Sequence, residues 1–415
     1  MTAQRLRTDS QRLKSDIEHL AAIGRAEDHG IYRMAFSDGD MAARDWLTER
    51  IEQAGLDVYQ DGAANLHARL NWRDGGASVM MGSHIDTVPC AGHLDGALGV
   101  LCGLEALRVL KESAVTLKRP LEVVAFSDEE GRFGGMFGSQ ALSGNISPEW
   151  IHSARDLAGQ GLVDTMADRG LNAMEALTAA RSPESLYAFI ELHIEQGPVL
   201  DGLGANIGLV EGICGLSRWE VRLLGVANHA GTTPMSMRND AFQGVVEFAA
   251  DIDRLLAEHG NASSVATIGR VELFPGTANV VPGEARFALE FRDLDATVLD
   301  KLGDVFRHTL SSIARRRGLM FEFEVLSELA PVACDERVKD IIGSTAEALG
   351  YKPHQLPSGA AHDTQQLASL TRTGMIFVPS KGGRSHSAAE WTSWNDINAG
   401  ADVLLNTVYQ LACEA

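Results

Sequence analysis

The run GSHIDTVPCAGHLDGALGV sets His84 and Asp86 two residues apart, so on an extended strand both side chains lean to one face, and the glycine-rich loop behind them delivers Asp95. Histidine with carboxylate is the ligand pair that a borderline divalent metal prefers. AFSDEEGRFGG puts Asp128, Glu129 and Glu130 directly after an apolar run. ELHIEQGPVL sets His193, Glu195 and Gln196 in a segment that otherwise reads as a buried strand, and RSHSAAEW adds His386 behind the apolar run GMIFVPS. Each of these alone has a plain structural explanation. H-x-D recurs by chance, a row of acids makes a solvated turn, and an isolated histidine in an apolar strand is a core residue with a satisfied hydrogen bond. Acids at a sheet end that face other acids and histidines, however, repel one another unless a cation or a proton intervenes. His84, Asp95, Glu130, His193 and His386 are expected at five separate strand ends, and one shared metal site explains them more simply than five coincidences.

Five ligands are one more than a tetrahedral zinc takes, so the set favours two divalent ions bridged by one carboxylate, for which Asp95 is the natural candidate. His and carboxylate donors accept Zn, Mn, Co or Ni. Such a site generates hydroxide near neutral pH, and Glu129, beside Glu130, is placed to move its proton. Asp86 is expected to orient His84 through the second ring nitrogen.

Positioning such a set needs a sheet whose strands end together. Helical periodicity runs through residues 13–20 and 41–51; NLHARL, SVMMGSHI and LEVVAFS read as strands, and GALGVLCGLEALRVLKE reads as a helix between them. This alternation predicts an α/β layer with a mostly parallel sheet, which places ligands past the carboxyl ends of its strands. From about Leu216 the pattern changes. RWEVRLLGVA, SSVATIGRVELF, EARFALEFRDL and MFEFEVLSE read as strands, with helices near 240–258 and 296–317, which together make a self-contained α+β set. After Pro331 the α/β style returns with helices near 335–349 and 395–411. The expected organisation is a discontinuous catalytic domain, 1–213 and 332–415, interrupted by a smaller domain over 214–331.

Bulk composition narrows the partners. The chain has 415 residues, too many for one compact core, and 36 basic against 56 acidic residues give a formal charge of −20. That charge repels phosphate backbones and anionic bilayers, so neither nucleic acid nor a membrane is an expected partner. Five cysteines, Cys90, Cys102, Cys214, Cys334 and Cys413, form no C-x-x-C pair and are odd in number, which fits a reducing compartment. The opening MTAQRLRTDSQRLKSDIEHLAAIG lacks the apolar core of a signal peptide, and no later stretch approaches a membrane span, so a cytoplasmic location is expected.

SHIDTV, HLDGALGV, DEEG, HIEQG, NHAGTTPMSMRNDA, NVVPG and SHS, spread from about residue 80 to 390, together resemble the M20 metallopeptidase-type amidohydrolases, in particular their hydantoinase/carbamoylase branch. The resemblance implies an α/β catalytic domain with a binuclear metal site and an inserted α+β domain that forms a homodimer and closes over substrate. It implies His84, Asp95, Glu130, His193 and His386 as the ligands of two divalent ions, Asp86 as the aspartate behind them and Glu129 as the general base. Substrate contacts are implied for Gln196, His229, Asn279, Arg292, Gly359 and His362; Arg292 can grip a carboxylate bidentately, while His229 and Asn279 can hydrogen-bond a developing oxyanion.

The peptidases of this family typically carry a carboxylate where His193 stands, so HIEQG is similar to the carbamoylase branch. The chain departs from that branch where Ala361 replaces a glycine in GAAHD, where Ala388 replaces a proline in SHSA, and where DEEGRF lacks a residue before its arginine. These loops bear on the substrate more than on the metal set. The expected activity is hydrolysis of the carbamoyl C–N bond of an N-carbamoyl-L-amino acid. Allantoate amidohydrolase and β-ureidopropionase are the alternatives in that class, and a non-catalytic binding protein is the alternative outside it; the presence of all five ligands, Asp86 and Glu129 argues against the last.

Overall fold

The computed structural model describes residues 5–72 and 75–414, which divide into two units: one holds the chain up to Glu211 and again from Cys334, the other Gly212–Ala333. In chain order the strands are β1 (Asp57–Gln60), β2 (Leu66–Leu70), β3 (Ser78–His84), β4 (Leu121–Phe126), β5 (Leu186–Ile194), β6 (Gly208–Ile213), β7 (Gly215–Leu224), β8 (Asn228–His229), β9 (Val265–Phe274), β10 (Val280–Val281), β11 (Glu284–Asp293), β12 (Met320–Leu329), β13 (Val332–Ala333), β14 (His354–Ser358) and β15 (Arg372–Val378).

In the first unit β4, β3, β5 and β15 lie side by side and run parallel. The flanks are antiparallel, with β2 and β1 beyond β4 and β6 beyond β15. Every residue of β3 and β4 is buried. Val79 and Met81 face the main core with helices Ala97–Glu112 and Trp394–Ala412, while Met80, Val124 and Phe126 pack on the opposite side against Leu142, Leu367 and Leu370. Covered on both faces, these strands read as continuous apolar runs rather than alternating ones.

The predicted helices fall within a few residues of those observed, including Ser10–Ala22, Asp38–Gln53 and Ala97–Glu112. One expectation needs correction. His84 and Asp95 both follow β3, because residues 85–96 lead into helix Ala97–Glu112 without another strand, so the five candidate ligands leave four strand ends, not five. Residues 131–185, unassigned from sequence, form the short helices Phe137–Leu142, Pro148–Ser153 and Leu162–Ala167 around Phe36, Phe133, Phe137 and Ile151. Elements of six residues are too short to show a helical period.

The second unit is an antiparallel sheet in the order β12-β7-β11-β9. Helices Ala241–His259 and Ala296–Arg317, capped by the side chains of Asp240 and Asp295, bury one face over a core that includes Phe248, Phe287, Phe291 and Phe306. β11 alternates strictly, with Ala285, Phe287, Leu289 and Phe291 inward and Glu284, Arg286, Glu290 and Arg292 on the other face.

Candidate metal centre

Because β4, β3, β5 and β15 are parallel neighbours, their carboxyl ends open on one place. Glu129 and Glu130 follow β4, His84 is the last residue of β3, His193 is the next to last of β5, and His386 lies in the loop after β15. The loop after β3 returns Asp95 to the start of helix Ala97–Glu112. There Gly96 has φ +60, and a Cβ on it would stand 2.4 Å from the His84 ring, so only glycine lets the helix start against that histidine.

The Asp95 carboxylate sits at the centre. Its Oδ1 lies 3.2 Å from His193 Nε2 and 3.7 Å from His84 Nε2, and its Oδ2 lies 3.4 Å from His386 Nε2. His386 Nε2 is also 3.4 Å from Glu130 Oε2. Two ligand groups result, His84–Asp95–His193 and Asp95–Glu130–His386, each with its ligand atoms within 4.8 Å of one another and with Asp95 common to both. Glu129 stands beside them, its Oε2 3.4 Å from His84 Nε2.

Electrostatics at this place ask for cations. Burial, reinforced by Asp363 and Glu130, pushes Glu129 well above the usual carboxylate range, and burial with Asp95 and Asp86 does the same to Glu130. Burial also opposes the charge of Asp95, but His193, His386 and His84 outweigh it and hold that carboxyl well below the usual range. His84 is pushed down to about 4, chiefly by burial. Glu130 Oε1 is buried with no hydrogen-bond partner. A donor set of imidazoles and carboxylates, with a buried unpartnered oxygen among them, fits divalent ions of the Zn, Mn, Co and Ni kind.

Residues 80–410 match the model of peptidase family M20/M25/M40. The chain belongs to that family. It is similar to an N-carbamoyl-L-amino acid amidohydrolase of Geobacillus stearothermophilus, 41% identical over 97% of this chain and 98% of the relative. It is also similar to an allantoate amidohydrolase of Escherichia coli K12, 33% identical over 97% and 98%. Among solved structures, an amidase of the hydantoinase/carbamoylase family from Burkholderia multivorans superposes with a TM-score of 0.92 at 33% identity, covering 99% of this chain and all of that one.

In this M20-family chain Asp86 meets the second ring nitrogen of His84 through its main chain. His84 Nδ1 lies 3.0 Å from the main-chain carbonyl of Asp86, and the Asp86 carboxylate, 3.9 Å from that nitrogen, instead accepts the amides of Glu129 and Glu130 at 3.4 and 3.2 Å. One residue thus sets the His84 ring with its backbone and the acidic turn with its side chain. Gln196, expected to face substrate, donates through Nε2 to Asp95 Oδ2 at 2.8 Å, while its Oε1 is buried without a partner.

Sequence reasoning missed the supports. Glu390 Oε1 accepts the amides of Leu94 and Asp95 at 2.8 and 3.1 Å, and Ser385 Oγ donates to Asp95 Oδ2 at 2.6 Å and lies 3.3 Å from Glu390 Oε2. A Cβ on Gly92 would meet Glu390 at 2.3 Å, so the loop after β3 closes on this side chain. Their only sequence signal was position, Ser385 beside His386 and Glu390 four residues after it.

His362 is buried with its ring centroid 4.6 Å from that of His193, and its Nε2 lies 2.9 Å from Ser358 Oγ; Gly359 stands in the same turn, after β14. Glu191, His193 and His362 form a further group of potential ligand atoms that shares His193 with the centre. The other three expected substrate residues belong to the second unit. His229 pairs with Val280 across β8 and β10, and Asn279 accepts the amide of Ala230 through its carbonyl, which sets His229 and Asn279 on one short antiparallel pair of strands. Arg292, on β11, donates through Nε and Nη2 to Glu290 Oε1 at 2.8 and 2.6 Å.

Proposed function

We propose that this M20-family chain is a binuclear metal-dependent amidohydrolase that cleaves the carbamoyl C–N bond of N-carbamoyl-L-amino acids, yielding amino acid, ammonia and carbon dioxide. The observation that carries the reading is the Asp95 carboxylate, which offers one oxygen to each of two ligand groups with the buried Glu129 beside them. Similarity to carbamoyl-amino acid amidohydrolases at 35–41% identity supports the substrate class.

His84, Asp95 and His193 would hold one divalent ion, and Asp95, Glu130 and His386 the other. When bound, the ions would polarise the ureido carbonyl and bring the pKa of water near neutrality. Glu129 takes the proton from the attacking water and passes it to the leaving nitrogen, so that the C–N bond breaks to the amine and the carbamic acid that decomposes. Asp86 keeps the backbone of Glu129 and Glu130 in place through its carboxylate. Gln196, Gly359 and His362 contact substrate from the first unit. Arg292 is the proposed partner of the α-carboxylate, with His229 and Asn279 as donors to the developing oxyanion. The second unit, Gly212–Ala333, is the proposed dimerisation domain of a homodimer, and with five free thiols and a charge of −20 the protein is assigned to the cytoplasm. No helix among the described residues is long and apolar enough to cross a membrane.

Hydrolysis of allantoate is the second reading, favoured by the similarity to the Escherichia coli enzyme. The deciding experiment is ammonia release by protein loaded with Mn or Zn, on N-carbamoyl-L-amino acids, N-carbamoyl-β-alanine and allantoate. Fastest turnover of a carbamoyl amino acid is expected. Preference for allantoate keeps the metal and base assignments and changes the substrate, while silence on all three rejects the ureido class.

A further inference from the structure

Beside the metal centre, within the first unit, a cavity of about 660 Å³ opens between four segments: the loop before helix Asp38–Gln53, the loops after β3 and β4, and residues 156–169. Asp86 and Glu130 form part of its wall, so the cavity adjoins the acidic turn of the metal centre. Apolar side chains supply much of the rest, namely Met34, Phe36, Val88, Pro89 and Leu157. Its size is that of a ligand pocket rather than a packing fault.

The two arginines at its rim are already engaged. Arg132 donates through Nη1 to the carbonyl of Ala35 at 2.7 Å and through Nε and Nη2 to Asp156 Oδ2 at 3.3 and 3.2 Å. Arg169 donates to the carbonyl of Phe36 at 3.0 Å and pairs with Asp38 at 2.7 Å. Bound in this way to wall carbonyls and neighbouring carboxylates, both guanidiniums shape the cavity.

The loop carrying Leu157 is fixed rather than loose. Asp156 Oδ1 accepts the amides of Ala158 and Gln160 at 3.0 and 2.9 Å, and the Asp156 amide donates to the Gln160 carbonyl at 2.9 Å. Arg132, two residues from Glu130, grips the Asp156 carboxylate, so the metal-side turn and the Leu157 loop are joined. Leu157 itself is fully exposed at the cavity edge.

We infer that this cavity receives the side chain of the amino-acid moiety, and that it selects apolar, bulky side chains over small or acidic ones. The inference rests on the ureido-acid reading above and specifies its substrate. Apolar area removed from water at Met34, Val88, Pro89 and Leu157 supplies the discrimination, which for a hydrophobic pocket runs to roughly 10–200-fold per group of methylene size.

The test uses the Mn- or Zn-loaded full chain and compares kcat/KM on N-carbamoyl-L-phenylalanine, N-carbamoyl-L-leucine, N-carbamoylglycine and N-carbamoyl-L-aspartate. At least about a tenfold preference for the phenylalanine or leucine derivative over the glycine one is expected, with the aspartate derivative poorest. Leu157→Ala, at a fully exposed position where folding is not at stake, should reduce the phenylalanine-to-glycine ratio severalfold, and Met34→Ala should reduce it as well. A wild-type preference for glycine or aspartate, or a ratio that Leu157→Ala and Met34→Ala both leave unchanged, overturns the inference while ureido turnover still stands. Absence of turnover on every ureido acid, allantoate included, overturns the underlying reading and this inference with it.

Discussion

Charged side chains line sheets in both units of this protein, in opposite ways. At the carboxyl ends of β4, β3, β5 and β15, Asp95, Glu129, Glu130, His84 and His193 are withdrawn from solvent, and the acids face one another and a set of imidazoles. On the uncovered face of the second unit's sheet, arginines and glutamates alternate in partly or well exposed ion pairs. Arg222 meets Glu284 at 3.0 Å and Glu322 at 2.9 Å, Arg218 meets Glu290, and Arg270 meets Glu220. The ladder is neutralised in place and in water, where each pair contributes little. The centre is neither, and groups that would repel when charged persist only where a further cation or proton completes them. Burial without a counter-charge marks chemistry; exposure with one marks surface.

The largest break in that contrast should come from Asp95→Ala. It removes the one carboxylate common to both ligand groups, so metal analysis should find both ions lost and turnover below detection, whereas His386→Ala should keep one ion. Retention of two ions by Asp95→Ala would sink the bridging role. Glu129→Gln comes next, with kcat lowered by about 10²–10⁴ while metal content and KM stay near wild type. Near wild-type turnover there rejects the base assignment.

Glu390→Gln keeps the shape of a side chain that accepts two amides of the Asp95 loop but weakens the acceptor, and roughly a 10–100-fold loss in metal affinity is expected, read by competition with a chelator. Unchanged affinity would make Glu390 a structural residue only. Arg292→Lys sharpens the comparison from the other side, since Arg292 lies on the ladder face and carries a proposed role. KM should rise about 10–100-fold with kcat nearly kept, because one ammonium cannot replace a planar fork, and a silent substitution would return Arg292 to the ladder. Smallest of all, Arg222→Ala should change unfolding free energy by less than about 1 kcal/mol in a denaturant titration, and leave turnover alone. A loss of several kcal/mol would show that the ladder is not mere surface.

Much of this was legible in residue order. Apolar runs of parallel-strand character at 78–84, 121–126 and 372–378, each followed by glycine and acid or histidine, located the sheet and the candidate ligands at its end. The strict alternation of β11 located the second unit's sheet in the same way. Short helices between 131 and 185 were not legible, since six residues carry no period, and neither was the count of strand ends, since a loop and a short strand look alike in composition.

By itself the sequence determined which chemistry was possible, because ligand type is a property of the side chain and five such residues near strand ends name a candidate metal set wherever they meet. Only the tertiary structure decided who holds them. The Asp86 carbonyl against His84, the Asp86 carboxylate under Glu129 and Glu130, and Glu390 closing on the amides of Leu94 and Asp95 join positions up to 296 residues apart in the chain. Such bonds depend on strand order and loop path, and no local pattern encodes either.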